Sequence, residues 1–590
     1  MTWREEPSSH SDARKPRPPW TAVAFSTPLV LYALHAWLYI RHVNDDAYIT
    51  FRYSRFLATG LGPYFNPGEH VEGYTNFLHM LLLAGAYLLG GEAALPAFAK
   101  ALGIACGAAA LLIAARLTVV LSTLSLELAP RGLVCGSLAA SLVAVFPGFA
   151  LNGTSGLETL PFAMLIALGV WRAVLGEVSG RWAGAGLAWA AAALTRPEGA
   201  AVFAVHAAAA IAVTILGGQH RRSPATSRSG GILPRHLIRD AALVGGALAL
   251  QMAFRAVFYD GALVPNTYWA KTLGFWGQTP WEYVRHGALA AFLGVAGVAV
   301  GLYGFARSGR TARAALPLTA VAAFGACLPF FVGTDWMPGW RFSVPYLPLL
   351  AVIVALGWMR VLHPLSRHLR LAAPAVAVGL VVAMACVHHR ERSDLAALVN
   401  LRADGYAGGH RRLCAWLREA GIRTGDAVAL MDIGIVGYYS PDLRILDITG
   451  LTDAHIARSP GTFLKKSYDP AYILDQRPEV VVLVLSAYER VPADAGNGTD
   501  VVKRIVDPAR PFPDDAQLAT WVPIEAQILA DPAFQARYQR IRDDPGPEAP
   551  VTERIAARIG AERVFEHSYP DQWYLLAAFR RRPEADTLSR

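Results

Sequence analysis

The sequence predicts a polytopic α-helical membrane protein of about eleven spans, followed by a soluble extracytoplasmic α/β domain. Three observations predict it. Hydrophobic residues make up 54% of the 590 and charged residues only 17%, against roughly 45–50% and about 25% in soluble globular chains. Apolar runs rich in Ala, Leu and Val recur between residues 20 and 388, with Arg clusters between them. Beyond residue 388, Pro, Asp and Arg rise and short β-rich runs alternate with helical ones. A purely soluble chain is excluded. The net charge of +9 falls between apolar runs and acts as a topology signal, so nucleic acid is not an expected partner.

Arg4, Arg14, Lys15 and Arg17 precede an apolar run from Trp20 to Ile40 that no A-x-A-like cleavage site follows. Residues 1–19 are therefore expected to be a cytoplasmic tail and the run a signal anchor. Further spans are expected at about 95–120, 132–151, 158–176, 182–195, 199–218, 240–258, 286–305, 314–333, 343–361 and 371–388. With this count the clusters Arg221, Arg222, Arg228, Arg235 and Arg239, then Arg307, Arg310 and Arg313, then Arg360, Arg367 and Arg370, all fall inside. The apolar stretch from Asn76 to Gly90 is short for a crossing, and counting it would put those loops outside, so it is expected to be juxtamembrane or re-entrant. The same parity puts the first loop, 41–94, and everything after His388 on the extracytoplasmic side of the inner membrane. Residues 20–388 then form the membrane domain and 389–590 the soluble one.

In the soluble part, Arg411 to Ala420 has the pattern of an amphipathic helix. Strands are expected at Ala427–Met431, Arg444–Ile448 and Glu479–Leu485, and that order implies an α/β sheet. Gly434-Ile-Val-Gly437 is too short for a dinucleotide fingerprint. The polar stretch from about Pro492 to Asp515 is expected to be a loop. The five cysteines show no CxxC or Cys/His spacing and indicate neither a zinc site nor a disulfide framework.

The chemistry is expected in the outer loops. Asp45 and Asp46 stand at the mouth of the first span, where two carboxylates are costly unless they face water, a cation or a substrate. One can act as general base while its neighbour raises its pKa or shares a cation. The plainer alternative is a solvated helix end. A divalent cation on the pair is compatible with hard-ligand chemistry but not required by it. Next, Tyr48, Phe51, Arg52, Tyr53 and Arg55 have helical spacing. Turn residues Gly60, Gly62, Pro63, Asn66, Pro67 and Gly68 then return Glu72, Tyr74 and Asn76 towards the membrane. Arg52 is a candidate phosphate ligand or an interfacial anchor. His42, His388 and His389 lie near span ends and read as interfacial.

These residues carry a resemblance. The run DDAYITFRYSRFLATG with FNPG and VEGYTN joins Gly156-Leu-Glu-Thr159, Thr195-Arg-Pro-Glu-Gly199, Pro265-Asn-Thr-Tyr-Trp-Ala-Lys271, Asp335-Trp-Met and Arg341-Phe. Together with Asp432-Ile-Gly and the segment from Asp447 to Asp453, the pattern resembles the GT-C superfamily of membrane glycosyltransferases. Within it, the chain is most similar to the terminal β-(1→2)-arabinofuranosyltransferase family. The resemblance implies a polyprenyl-phosphate sugar donor with its prenyl tail in membrane lipid, a cell-envelope polysaccharide or glycolipid acceptor, and acidic residues in the first outer loop, here Asp45 and Asp46.

The remaining motifs suit phosphate and sugar contacts. Lysine is scarce, so Lys271 in a loop with Asn266, Tyr268 and Trp269 stands out as a phosphate ligand, with Asn266 and Tyr268 as sugar or acceptor contacts. Arg196 is expected on the donor phosphate or in a structural pair with Glu198 or Glu158. Arg341 is expected on the leaving phosphate or as a Trp/Arg anchor, and Asp335 orients it or binds sugar hydroxyls. Glu158 binds sugar, or stands before a helix for ordinary dipole reasons. Glu72, Tyr74 and Asn76 complete the sugar and acceptor set. The expected activity is glycosyl transfer from a polyprenyl-phosphate sugar, arabinofuranose by resemblance, to an envelope-glycan hydroxyl with a first-loop aspartate as base. The alternatives are a lipid or glycan transporter and a non-catalytic glycan-binding envelope protein. Outer-loop acids and the absence of an evident repeat count against transport.

Overall fold

In this computed structural model, residues 20–124, 128–180, 184–219, 234–271, 309–332, 337–362, 373–491, 501–504, 517–520, 522–538, 565–569 and 572–581 are described. The helices run in chain order as α1 (Trp20–Leu38), α2 (Asp45–Ala58), α3 (Phe77–Thr123), α4 (Gly132–Ala144), α5 (Pro147–Thr154), α6 (Thr159–Ser179), α7 (Ala185–Thr195) and α8 (Glu198–Gln219). They continue as α9 (Arg235–Phe258), α10 (Asn266–Lys271), α11 (Gly309–Val332), α12 (Leu347–Leu362) and α13 (Ala373–Val387). Among the described residues five helices are long and apolar enough to cross a membrane, or up to seven if each of two bent pairs is one span. The chain is thus a helical membrane protein. Of the eleven expected spans, the one at 286–305 lies outside the described residues, and each of the other ten positions holds a helix.

Two of the expected stretches are bent. The stretch 132–151 is not one straight rod: α4 and α5 meet at 66°. Pro147 opens α5, and a proline cannot donate the N–H that would continue the ladder from α4. The Asn76–Gly90 stretch forms a short helical limb that meets the following helix at a break, Gly91 (φ 67, ψ −162). That backbone conformation is one a glycine adopts without penalty. The limb before the break rises only about 21 Å, less than the roughly 30 Å of a bilayer core.

After α13 come α14 (His389–Gly405), a π-helical turn at Tyr406–Arg411, and α15 (Arg412–Glu419). Strand β1 (Ala427–Leu430) leads through α16 (Ile433–Tyr439) to β2 (Arg444–Asp447), and β1 pairs β2 in parallel from Ala427↔Arg444 to Leu430↔Asp447. Strand β3 (Val480–Val491) also pairs β1 in parallel, and its other partners are antiparallel. These are β7 (Gln572–Arg580), then β6 (Phe565–Tyr569) beside β7, with β4 (Val501–Arg504) and β5 (Gln517–Thr520) pairing the far end of β3. The strand at Val501–Arg504 interrupts the stretch expected to be a loop. Buried hydrophobic residues occupy every position of β1 because α16 and the first loop cover it.

The core shows how the site is positioned. One apolar cluster fills the bundle of α1, α3, α4, α6, α7, α11 and α12. A second joins Ile49, Tyr53, Phe65, Tyr74, Phe77, Met80, Tyr259 and Ala270 to the interior of the sheet. The first loop is therefore packed between the helical bundle and the sheet, and α2 is its spine.

Candidate active site

Helix α2 begins where Asn44 caps it, its side chain accepting from the Asp46 N–H at 3.2 Å. At 100° per residue, positions 45 and 52 share one face, and positions 46, 50 and 54 share a second, about a third of a turn away. The two faces have different partners.

The first face grips the sheet unit. Asp45 is buried, and its Oδ2 accepts from Gly434 N at 3.0 Å while its Oδ1 accepts from Ile435 N at 2.7 Å. Two turns on, Arg52 is wholly buried, with Nε on Phe65 O (2.6 Å), Nη1 on the carbonyls of Gly437 and Ser440, and Nη2 on Leu443 O (2.9 Å). Its guanidinium also lies over the rings of Phe56 and Phe65. Helices α2 and α16 thus run in the same direction, with an acid at the N-terminal end of α16 and a guanidinium at its C-terminal end, the arrangement its dipole favours. A Cβ at Gly434 would fall against the Asp45 carbonyl and 2.6 Å from its Oδ2; one at Gly437 would fall 2.9 Å from Phe65. The two glycines allow this approach. Burial and then the Asp432 carboxylate push Asp45 up to about 7, against the pull of His410 and the Ile435 N–H. His410, buried, holds Asp432 Oδ2 at 3.2 Å beside this contact.

The second face leads into the membrane domain. Asp46 is half-buried. One turn on, the Thr50 hydroxyl donates to Asn76 Oδ1 at 3.2 Å, and Ser54 donates to Met80 O at 2.9 Å. Asn76 Nδ2 in turn donates to Glu158 Oε2 at 2.8 Å. The other oxygen, Glu158 Oε1, is shared: Arg341 Nη2 reaches it at 3.2 Å and Arg196 Nη1 lies 3.4 Å away. Arg196 also donates through Nε to Glu198 Oε1 at 2.6 Å and stacks against the rings of Phe162 and Phe342. Burial raises the Glu158 carboxyl, but Arg341, Arg196, His79 and Asn76 outweigh it and hold it at about 2.

Backbone geometry fixes both arginines. Arg196 is an extended residue (φ −148, ψ 144) closing α7 immediately before α8. Arg341 follows Gly339 (φ 88) and Trp340 (φ 58), a left-handed pair strained at the tryptophan. Asn152 Nδ2 holds Gly339 O at 2.8 Å and Glu391 holds Trp340 Nε1 at 2.7 Å, so that loop is tied on both sides.

The structure therefore brings Asn76, Glu158, Arg196 and Arg341 together and places Asp46 one turn from Thr50, at the head of the chain that reaches them. Both structural pairings weighed for Arg196 are present, alongside the Arg341 contact. Other candidates are placed elsewhere. Arg52 does not face an open anion site, because four backbone carbonyls take its donors. Glu72 is buried in a two-point ion pair with Arg255 of α9, at 2.6 and 3.2 Å. Tyr74 meets the Tyr259 hydroxyl at 3.3 Å, and Tyr259 donates to Pro63 O at 2.5 Å. Asn266 Nδ2 is committed to the carbonyls of Gly450, Leu451 and Asp453. These three residues fasten the returning limb of the first loop to α9 and to the sheet unit. Tyr268 is exposed beside Trp269, and Lys271 Nζ lies 5.3 Å from the Phe463 ring centre. Asp335 lies outside the described residues.

Among the described residues, no three His, Cys, Asp or Glu side chains gather as a metal-ion shell. Both Asp45 oxygens already accept N–H groups. Sequence reasoning missed His410 and Gly434 as parts of this interface. The spacing Gly434-x-x-Gly437, which makes one small face on a helix, was the available signal.

Comparison with known proteins agrees on the fold. The chain is similar to ArnT from Cupriavidus metallidurans, a crystal structure bound to undecaprenyl phosphate, at 14% identity and a TM-score of 0.51, over 81% of this chain and 96% of that one. It is also similar to the archaeal oligosaccharyltransferase AglB from Archaeoglobus fulgidus, in complex with an inhibitory peptide and a dolichol-phosphate, at 11% identity and a TM-score of 0.55, over 95% and 88% of the two chains. The fold is thus that of the GT-C glycosyltransferases. Residues 399–586 match a family model described as a domain of unknown function, DUF8728. No curated protein matches the sequence.

Proposed function

We propose that the chain is a membrane glycosyltransferase that moves a sugar, arabinofuranose by the resemblance of its motifs, from a polyprenyl-phosphate donor to a hydroxyl of a cell-envelope polysaccharide or glycolipid on the extracytoplasmic side. The observation that carries this reading is the second face of α2. It sets a half-buried carboxylate, Asp46, one turn from Thr50, from which Asn76 and Glu158 lead directly to two guanidiniums. A base on one face of α2 and two guanidiniums reached from that face are what transfer from a sugar phosphate needs. Two chains with this fold hold a polyprenyl phosphate, undecaprenyl phosphate in ArnT and dolichol-phosphate in AglB, which supports the donor class.

In this reading Asp46 accepts the proton of the acceptor hydroxyl as its oxygen bonds to the anomeric carbon. The bond from that carbon to the phosphate oxygen breaks, its electron pair leaves with the phosphate, and Arg196 and Arg341 stabilise the charge that develops there. Asp45 is a positioning residue: by holding Gly434 and Ile435 it sets α2, and so Asp46, against the sheet unit. In this reading Lys271 is a further contact to the donor phosphate and Tyr268 a contact to sugar or acceptor. The test is transfer by the purified full-length protein from a panel of polyprenyl-phosphate sugars, arabinofuranose included, to envelope-glycan acceptors. Asp46→Asn is expected to abolish turnover in a protein that still folds, and Asp45→Asn to lower it partially. No turnover by wild type with any donor, or full turnover by Asp46→Asn, removes the reading.

A further inference from the structure

The Glu158 carboxylate is held unequally. Oε2 sits on Asn76 at 2.8 Å, a normal strong distance, whereas Oε1 is shared between Arg341 at 3.2 Å and Arg196 at 3.4 Å. Charge-assisted N–H···O contacts settle nearer 2.7–2.9 Å when nothing prevents them. Arg196 Nη1, within a side chain only 6% exposed, makes no hydrogen bond at all. Arg341 Nη1 also lies 3.2 Å from the Met337 thioether. Beside the same acid Thr159 Oγ1 is buried without a hydrogen-bond partner, as is the Tyr346 hydroxyl near Arg196 and Glu198. Nor does Glu158 serve its own helix: it occupies the N-cap position of α6 but makes no capping hydrogen bond.

One carboxylate oxygen thus faces two guanidiniums, and Arg196 Nη1 and the neighbouring hydroxyls have donor capacity that it does not satisfy. Buried donors left this way cost free energy unless another acceptor visits. A phosphate has enough oxygens to serve both guanidiniums and the neighbouring hydroxyls in one step, where Oε1 serves two poorly.

We propose that Glu158 is a built-in placeholder for the donor phosphate: Oε1 occupies the anion position between Arg196 and Arg341 until the lipid-linked phosphate displaces it. This rests on the polyprenyl-phosphate reading above. On displacement the carboxylate stays tethered through Oε2 to Asn76. When the sugar has left, the same carboxylate competes for the two arginines and helps release the lipid phosphate product. The device places a displaceable negative charge between the two guanidiniums in the empty site, while the Arg196 Nε–Glu198 pair leaves Arg196 Nη1 available to the donor. A sugar-binding role for Glu158 predicts the opposite behaviour.

The experiment measures binding of undecaprenyl phosphate to the full-length protein in nanodiscs, together with steady-state transfer. Removing the competing charge in Glu158→Gln is expected to tighten binding about tenfold, as the loss of one like charge beside a bound anion should. KM for the donor then falls, and kcat falls with it because product leaves more slowly. Glu158→Asp keeps a carboxylate but shortens it by one methylene, so Oε1 withdraws from the arginines; it is expected to tighten binding in the same direction and tests the idea if the glutamine variant fails to fold. Arg341→Gln should weaken binding. Weaker or unchanged binding in both Glu158 variants overturns the placeholder while wild-type turnover keeps the donor reading intact. A wild type that neither binds undecaprenyl phosphate nor transfers any sugar overturns both.

Discussion

Arg52 on one side and Arg196 with Arg341 on the other are buried guanidiniums in the same molecule, and their surroundings could hardly differ more. Arg52 meets four backbone carbonyls and two aromatic rings, all supplied by the protein itself. Arg196 and Arg341 converge on a single carboxylate oxygen at longer distances. A guanidinium whose donors are filled by the backbone is a fastener, because nothing can displace a carbonyl without unfolding its helix. One held by a side-chain carboxylate that another anion can replace is a site. From sequence all three looked alike: an arginine between aromatic or apolar neighbours in an outer loop.

The largest effect that would break this comparison is at Arg52. Arg52→Gln leaves buried carbonyls at Gly437, Ser440 and Leu443 without donors, and should cost about 3–5 kcal/mol, read as loss of the cooperative thermal transition and rapid proteolysis between residues 420 and 480. Arg52→Lys should fare little better, since a single ammonium cannot reproduce the fork. A lysine variant that melts like wild type would mean Arg52 is not the fastener described.

At Arg341 the expected balance reverses. Arg341→Gln leaves Glu158 with Asn76 and a charged partner in Arg196, and should cost less stability than Arg52→Gln. It should lower kcat about 30- to 300-fold through lost stabilisation of the leaving phosphate. An equal loss of stability and rate at the two sites would erase the distinction.

Gly434→Ala tests the seam between the faces. A methyl group there meets Asp45, so either α16 or α2 must shift. The expected cost is about 1–3 kcal/mol of stability. If Asp45 positions Asp46, kcat should also fall while KM for donor stays near wild type. Normal kcat in a destabilised protein would show that the seam is structural only.

How much was legible follows from the same residues. The helical rods from Trp20 to Val387 are written in local apolar runs, so the positions of those described could be read directly, and Pro147 and Gly91 break two of them. Asn76, Glu158, Arg196 and Arg341 could be nominated because charged groups at span ends are rare in so apolar a chain. Which of the nominated groups would be fasteners could not be read. The partners of Arg52 lie 385 to 391 residues away for three of its four contacts, and those of Asn266 lie 184 to 187 away. No local pattern carries a contact of that separation. Likewise Gly434-x-x-Gly437 was visible, but its meaning depends on which helix it packs against.

The smallest effect is the pH dependence of stability, and it sharpens the comparison because the two faces of α2 have opposite signs. Asp45 is raised to about 7 in the folded protein, above its value near 3.9 in an unfolded chain. Between those values the folded state keeps a proton that the unfolded state has lost, so this group's contribution falls as pH rises from about 4 to about 7. His410, also raised, acts in the same direction: its stabilisation is present at low pH and lost as pH rises through its folded value. Glu158 is held at about 2; its contribution is complete above its unfolded value near 4.3 and is lost only as pH falls towards 2. Melting temperature of the purified protein should therefore decline by a few degrees between pH 4 and 7 on account of the Asp45 face. Asp45→Asn should flatten that decline, and Glu158→Gln should leave it unchanged. A slope that survives in Asp45→Asn and vanishes in Glu158→Gln would exchange the electrostatic roles of the two faces.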